Sequence, residues 1–299
     1  MKVLIIGAQG YLGQNYFKAF TKAGYQVSGT GRRDGENIIQ FDLGKSPVTQ
    51  LEDYIEKGQY VLLLASIPKI STCQNSPEET KKVNVSATQE IIDFCIKKEA
   101  IPVFSSSDII FGGESEYYNE QSVPRPLNKY AEQKNQIEKF LISNYSENQY
   151  LILRLSKVYS LGFKDGTLLN EMAKKLHSGV LLSEAYDQVF CPIWVEDLMK
   201  ATLSLFNKQA RGLYNVCGAQ GISRYQMAIS LASKMGISED RVRKCSIDDI
   251  DPSSPRPHNT SMDCSKLRSF IDIAPIELDK ALEQTARLWS ESSEIKHQI

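Results

Sequence analysis

The chain has 299 residues, long for one compact core and enough for two lobes. Hydrophobic residues make up 41% and charged residues 24%, which argues against a disordered chain. Thirty-five basic residues against 36 acidic ones leave a formal charge of -1, without the basic excess of a nucleic-acid binder, so nucleic acid is not an expected partner.

No apolar run approaches the roughly 20 residues that cross a membrane, so no membrane partner is expected either. The opening run Met1–Gly7 is too short for a signal peptide and has no small-residue cleavage site after it. The six cysteines, at 73, 95, 191, 217, 245 and 264, show no CxxC or CxxH spacing. They predict no metal, several read as small core residues, and the pattern suits a reducing cytoplasm.

In chain order, Val3–Ile6 is a short aliphatic run and predicts a buried strand. Tyr11–Ala23 predicts a helix stopped at Gly24. Strands follow at Gln26–Thr30, Ile38–Phe41 and Tyr60–Ala65. Pro77–Lys98 has helical apolar spacing at Val83, Ile91, Ile92 and Ile96. Ile101–Phe104 predicts a strand, Asn128–Ile142 a helix and Tyr150–Leu155 a strand. This alternation implies right-handed crossovers and a mostly parallel α/β sheet. Beyond it the pattern is less regular. Leu168–His177 and Val195–Phe206 predict helices, Gly212–Val216 a strand returning to a sheet, and Leu278–Trp289 a closing helix. Gly162–Gly166 and the proline-bearing Asp251–Asn259 predict loops.

Gly7, Gly10 and Gly13 lie between the first strand and the first helix. There, glycines permit a tight turn, close approach of backbone to a pyrophosphate, and close packing of helix on strand. The helix N-terminus adds free N–H groups and a positive dipole end. At the end of the second strand, an acidic residue would suit the ribose of NAD and an arginine the 2′-phosphate of NADP. The sequence there is Gly31-Arg32-Arg33, with no carboxylate until Asp34. Two guanidiniums can clamp a phosphate, so NADP(H) is the expected cofactor; a solvated arginine pair is the other reading. Asp42 could meet the adenine amino group or simply cap a turn.

Tyr130 and Lys134 are four apart on a predicted helix and share a face. A cation beside a phenol favours phenolate and lowers its pKa, so Tyr130 could pass a proton to a carbonyl. Alone the motif carries little weight in a chain with 14 tyrosines. The Ser105-Ser106-Ser107-Asp108 segment strengthens it, because it follows the Ile101–Phe104 strand at the end where α/β sheets hold ligands. A hydroxyl there can orient a substrate oxygen.

Together these residues resemble the extended, nucleotide-sugar branch of the short-chain dehydrogenase/reductase superfamily. The matching pieces are Gly7–Gly13, Asp42-Leu43, Leu64-Ala65-Ser66, Asn84, Ser105–Gly112 and Tyr130 with Lys134. Arg154–Tyr159, Pro192–Leu198 and Arg256–Leu267 further resemble the dTDP-4-dehydrorhamnose reductases and the related nucleotide-sugar epimerases. The resemblance implies a Rossmann doubly wound sheet over residues 1–156, with 189–216 returning to it. Residues 157–188 and 217–299 would form a smaller substrate-binding lobe.

It also implies roles. Gly7, Gln9, Gly10, Tyr11, Leu12 and Gly13 would form the pyrophosphate turn, with Arg32, Arg33, Asp42 and Leu43 around the adenosine end. Leu64, Ala65 and Ser66 would line the nicotinamide ribose site. Ser107 would orient the substrate, Tyr130 act as general acid, and Lys134 hold the ribose and tune Tyr130. Asp108, Lys157 and Arg256 would face the substrate, and Asn84 would bond neighbouring backbone.

Three places depart from the family pattern. Lys157 stands where a tryptophan is usual, Ser71, Thr72 and Gln74 where acidic residues are frequent, and Gly31-Arg32 where an acid is frequent. Lys157 therefore reads either as a contact to a more polar or anionic sugar or as a solvated loop lysine. The expected function is NADPH-dependent reduction of a keto group on a nucleotide-linked sugar. The alternatives are an epimerase or dehydratase with tightly held NAD(P), and a non-catalytic NADP-binding regulatory subunit. A homodimer is the expected assembly.

Overall fold

The computed structural model describes residues 1–161, 165–250, 252–272 and 275–296, with side chains as far as Glu291. Of the loops expected at Gly162–Gly166 and Asp251–Asn259, residues 162–164 and 251 lie outside the described residues.

Seven strands form one sheet: β1 (Lys2–Ile6), β2 (Gln26–Gly31), β3 (Ile38–Gln40), β4 (Tyr60–Leu63), β5 (Ile101–Ser107), β6 (Leu151–Leu155) and β7 (Gly212–Val216). Their order is β7-β6-β5-β4-β1-β2-β3. β1 pairs in parallel with β2 and β4, β2 with β3, and β4 with β5. Val3 through Ile6 are all buried, as a parallel strand covered on both faces requires. The chain winds outward from β1 to β3 and then resumes at β4 on the other side of β1. This is a doubly wound Rossmann sheet, and its reversal between β1 and β4 marks the crevice where such sheets hold ligands.

Helix α1 (Tyr11–Lys22) buries Gly13, Tyr16 and Phe20 on one stripe. Phe20 and Tyr60 both stack on Phe206, with ring centroids 5.1 and 3.9 Å away. Helix α2 (Ile70–Asn75) has no counterpart in the sequence expectation. The single helix expected over Pro77–Lys98 is three pieces: α3 (Pro77–Lys81), a π-helical turn (Lys82–Ala87) and α4 (Thr88–Lys97). Helix α5 (Lys129–Asn144) starts at Asn128, whose side chain accepts a hydrogen bond from Ala131 N at 3.0 Å.

The chain divides into two compact units. The first comprises Met1–Ile110, Pro124–Arg154 and Ala201–Tyr214, with a core that includes Leu4, Ile6, Leu63, Ile92 and Phe104. The second comprises Phe111–Val123, Leu155–Lys200 and Asn215–Ile299. Its core gathers Leu169, Met172, Met227, Leu231, Leu282 and Trp289 from three helices, Leu168–His177, Arg224–Lys234 and Leu278–Lys296. In this unit Leu182–Ala185 pairs in parallel with Val242–Cys245.

Candidate active site

The glycine turn is built by backbone contact. Gly7 has φ of +94°, and a Cβ there would meet Ala65 N at 2.8 Å. A Cβ on Gly13 would stand 2.2 Å from Gly7 O, so α1 seats directly on the turn. Gly10, the N-cap of α1, differs. Only Gly7 O, at 3.4 Å, lies beside the place of its Cβ, and the residue is exposed. The chain's own packing therefore makes no demand for glycine at position 10, whereas a phosphate lying on the helix N-terminus would. Tyr11 is exposed and Leu12 half-buried at the same helix start.

The turn after β2 carries Arg32 and Arg33. Gln9 Nε2 donates to Arg33 O at 2.7 Å and Gln40 Nε2 to Arg32 O at 3.3 Å. Gln9 can lie there because Gly31 has no side chain; a Cβ at Gly31 would be 2.3 Å from the Gln9 amide carbon. The two carbonyls are thus occupied, and both guanidiniums are exposed without a salt bridge among the described residues. The site fits a dinucleotide phosphorylated on its adenosine ribose. Asp42 closes a turn through its backbone oxygen, which accepts from Lys45 N and Ser46 N, and its carboxylate pairs with Lys45 at 2.8 Å. Leu43 packs in the core. Leu64, Ala65 and Ser66 follow β4 and are half-buried, with Leu64 N and Ala65 N both donating to Ile6 O.

Tyr130, Lys134, Ser66 and Asp108 converge. The Tyr130 hydroxyl is hydrogen-bonded to Ser66. Burial pushes the phenol well above its ordinary pKa, and Cys73 and Asp108 push it further. Lys134 Nζ donates to Ser105 O at 2.7 Å, lies 4.8 Å from the centre of the Phe104 ring and 5.7 Å from that of Tyr130. Burial lowers Lys134 to about 8. The influences on the Tyr130 pKa are, largest first, burial, Cys73, Asp108 and Ser66, and the Lys134 ammonium donates to a backbone carbonyl. A phenol held this high keeps its proton at neutral pH but is a weaker acid than one near the working pH. β5 runs on to Ser107, three residues further than expected. Ser107 Oγ donates to Asp108 Oδ1 at 3.0 Å.

Two buried networks hold this shelf. Asn84 Oδ1 accepts from Ile67 N at 2.7 Å, and its Nδ2 donates to Ile67 O at 3.0 Å and Gln133 Oε1 at 2.8 Å. Gln133 Nε2 donates to Thr80 Oγ1 at 2.9 Å. The π-turn therefore ties the Ser66 segment to α5. Below it, Arg154 and Glu138 form a buried bidentate pair, and Ser106 Oγ donates to the same carboxylate. Gln133 and Glu138 were not among the expected site residues. Their signal was position: one lies inside the tyrosine–lysine spacing, the other one turn past the lysine.

Lys157 and Arg256 belong to the second unit. Lys157 is exposed, and its carbonyl accepts from Ile193 N at 3.0 Å; Arg256 is half-buried. No helix among the described residues is long and apolar enough to cross a membrane, and no cluster of metal-ligating side chains occurs among them.

A glycine turn, a sheet reversal and a tyrosine–lysine shelf define a dinucleotide-binding fold of the extended short-chain dehydrogenase/reductase type. The chain belongs to the RmlD substrate binding domain family, whose model matches residues 1–289. It is similar to methionine adenosyltransferase 2 subunit beta of Xenopus tropicalis, 25% identical over 286 residues, covering 90% of this chain and 82% of that one. It is also similar to dTDP-4-dehydrorhamnose reductase of Aggregatibacter actinomycetemcomitans, 23% identical over 94% of this chain and 97% of that one. A dTDP-4-dehydrorhamnose reductase from Bacillus anthracis, solved in complex with NADP, superposes with a TM-score of 0.81 at 20% identity, covering 95% and 98% of the two chains.

Proposed function

We propose that this protein is an NADP(H)-dependent oxidoreductase that reduces a keto group on a nucleotide-linked sugar. The observation that carries the reading is the half-buried Tyr130, hydrogen-bonded to Ser66 near Asp108, with the buried Lys134 one helical turn away. The cofactor would lie along the turn at Gly7, Gln9, Gly10, Tyr11, Leu12 and Gly13. Arg32 and Arg33 would take the 2′-phosphate, Asp42 and Leu43 the adenine side, and Leu64, Ala65 and Ser66 the nicotinamide ribose. When bound, NADPH supplies the hydride.

The chain's own residues do the rest. Ser107 donates to the substrate oxygen and holds its developing negative charge. Tyr130 delivers the proton to that oxygen, and Lys134 keeps the local field positive while the phenol loses it. Asp108, Lys157 and Arg256 are the proposed substrate contacts.

Two measurements test this. NADPH should bind with a lower Kd than NADH, and Arg32→Ala with Arg33→Ala should abolish that preference, since a charge-assisted phosphate contact contributes about 1.5–3 kcal/mol. Equal affinities in the unmodified protein would overturn the cofactor assignment. Loss of NADPH absorbance with a panel of nucleotide-linked keto sugars tests the reaction. Tightly held NAD⁺ in the purified protein, without net NADPH consumption, would support the epimerase or dehydratase reading instead. The similarity to a methionine adenosyltransferase subunit favours a second reading, an NADP-binding partner of another enzyme. NADPH binding without turnover, with recovery of a partner enzyme in a pull-down, would support that one.

A further inference from the structure

Three of the six cysteines meet inside the second unit. Cys191, Cys217 and Cys264 are each at most 1% exposed. Cys217 Sγ donates to Met262 O at 3.2 Å and Cys191 Sγ to the same oxygen at 3.7 Å. Cys264 Sγ lies 3.6 Å from the Cys217 carbonyl oxygen, and the Cys217 and Cys264 sulfurs are themselves in hydrogen-bond contact. A thiol packed for volume alone has apolar neighbours. Cys264 instead takes a hydrogen bond from Arg268 Nε at 3.3 Å. Arg268 is an exposed side chain, so the only cation on this sulfur among the described contacts comes from the solvent side. The nearby Asp263 carboxylate is turned to Ser265, accepting from its N at 2.8 Å and from its hydroxyl.

We propose that Cys264 and Cys217 form a thiol–disulfide redox pair, with Cys264 the attacking sulfur, Cys217 the resolving one and a hydroperoxide the oxidant. The adjacent Cys217 sulfur and the Arg268 guanidinium hold the Cys264 thiol below its ordinary range, while Cys217 is held well above it. That asymmetry divides the roles, because the thiolate is the nucleophile. Cys264 thiolate attacks a peroxide oxygen: the S–O bond forms, the O–O bond breaks, and hydroxide leaves and takes a proton. Cys217 then attacks the sulfenic sulfur: the S–S bond forms, the S–O bond breaks, and water leaves with the Cys217 proton. Two thiols and one hydrogen peroxide give one disulfide and two waters. The product would join the end of β7 to the Arg256–Leu267 segment and remove the Cys217 donor from Met262.

The half-buried Cys245 provides the contrast. It is more accessible, yet burial and then Glu184, Asp249 and Asp187 raise its pKa. The test treats the intact folded protein with hydrogen peroxide at pH 7, blocks residual thiols with N-ethylmaleimide and maps linkages by mass spectrometry without reduction. The expected result is a Cys217–Cys264 linkage that dithiothreitol reverses, formed before Cys245 is modified. Cys217→Ser should stop at a sulfenic acid on Cys264 that dimedone traps. Arg268→Gln should slow linkage by roughly tenfold, with an unchanged melting temperature as the control for folding. Modification of Cys245 first would overturn the proposal. So would thiols at 217 and 264 that stay unreacted until the protein unfolds, a result read on the unmodified chain and independent of how the variants fold.

Discussion

The glycine turn and the α5 shelf lie in the same unit and are held by different physics. At the turn, backbone meets backbone: Gly7 against Ala65 and Gly13 against Gly7 leave no room for a side chain. At the shelf, side chains fix side chains: Asn84 to Gln133, Glu138 to Arg154, Lys134 to a strand carbonyl. The difference teaches where tolerance lies. A turn made by sterics fails abruptly when an atom is added. A shelf made by polar pairs fails when one partner is removed and the other is left buried. Under the proposed function, the first would bind a phosphate and the second would hold the proton of Tyr130.

The largest effect should come from the shelf's proton. Tyr130→Phe removes the donor without changing the ring, so turnover should fall by about 10²–10⁴-fold. The Kd for NADPH, measured by fluorescence titration, should stay within about twofold, because the turn is untouched. Unchanged turnover would remove Tyr130 from the mechanism and with it the contrast between the two regions.

The next effect is on stability. Glu138→Gln leaves the Arg154 guanidinium buried without its counter-charge, which should cost about 3–5 kcal/mol in denaturant unfolding. The side chains are 2% and 3% exposed, so solvent gives little relief. A loss below about 1 kcal/mol would mean that the pair behaves as a surface salt bridge.

What was legible in the sequence follows the same division. The turn is local: three glycines between an aliphatic run and an amphipathic helix predict strand, turn and helix to within a residue or two. The strands β1, β4 and β6 are likewise apolar runs. The π-turn was not legible, because Val83, Ile91, Ile92 and Ile96 keep an acceptable helical spacing while Asn84 is turned inward to Ile67. A polar residue buried by a partner 17 positions away leaves no trace in periodicity. Ser105–Ser107 extend the strand past the apolar run that predicted it; there Ser106 Oγ donates to Glu138 and Ser105 O accepts from Lys134. The pairing of Leu182–Ala185 with Val242–Cys245 joins segments far apart in the chain, and neither segment announces its partner. The assignment of roles rested on the family resemblance and on single residues, of which Arg32 and Arg33 are the most informative.

Within the turn, two glycines can be set against each other. Gly13→Ala forces a methyl to within 2.2 Å of a carbonyl oxygen and should destabilise the fold by about 1–3 kcal/mol. Gly10→Ala meets no such contact and should leave the melting temperature nearly unchanged. It should nevertheless weaken NADPH by at least about tenfold, since the methyl stands where a phosphate would approach. If Gly10→Ala bound NADPH normally, the glycine turn would be structural only, and its likeness to a cofactor cradle would carry no function.

The smallest effect sharpens the shelf's electrostatics. Lys134, lowered to about 8 by burial, loses its charge as pH rises through that value, while Tyr130 is held far above it. In the reductive direction kcat/KM should therefore fall by about threefold between pH 7.5 and 8.5. Folding stability should move the opposite way. A lysine whose folded pKa is depressed binds its proton more tightly when unfolded, so the cost of burying it is present below pH 8. That cost is relieved between about 8 and the ordinary lysine value near 10.4. Lys134→Arg keeps the charge across this range and should flatten both trends. A pH profile that survives the arginine variant unchanged would assign the titration to another group and leave Lys134 a role in geometry alone.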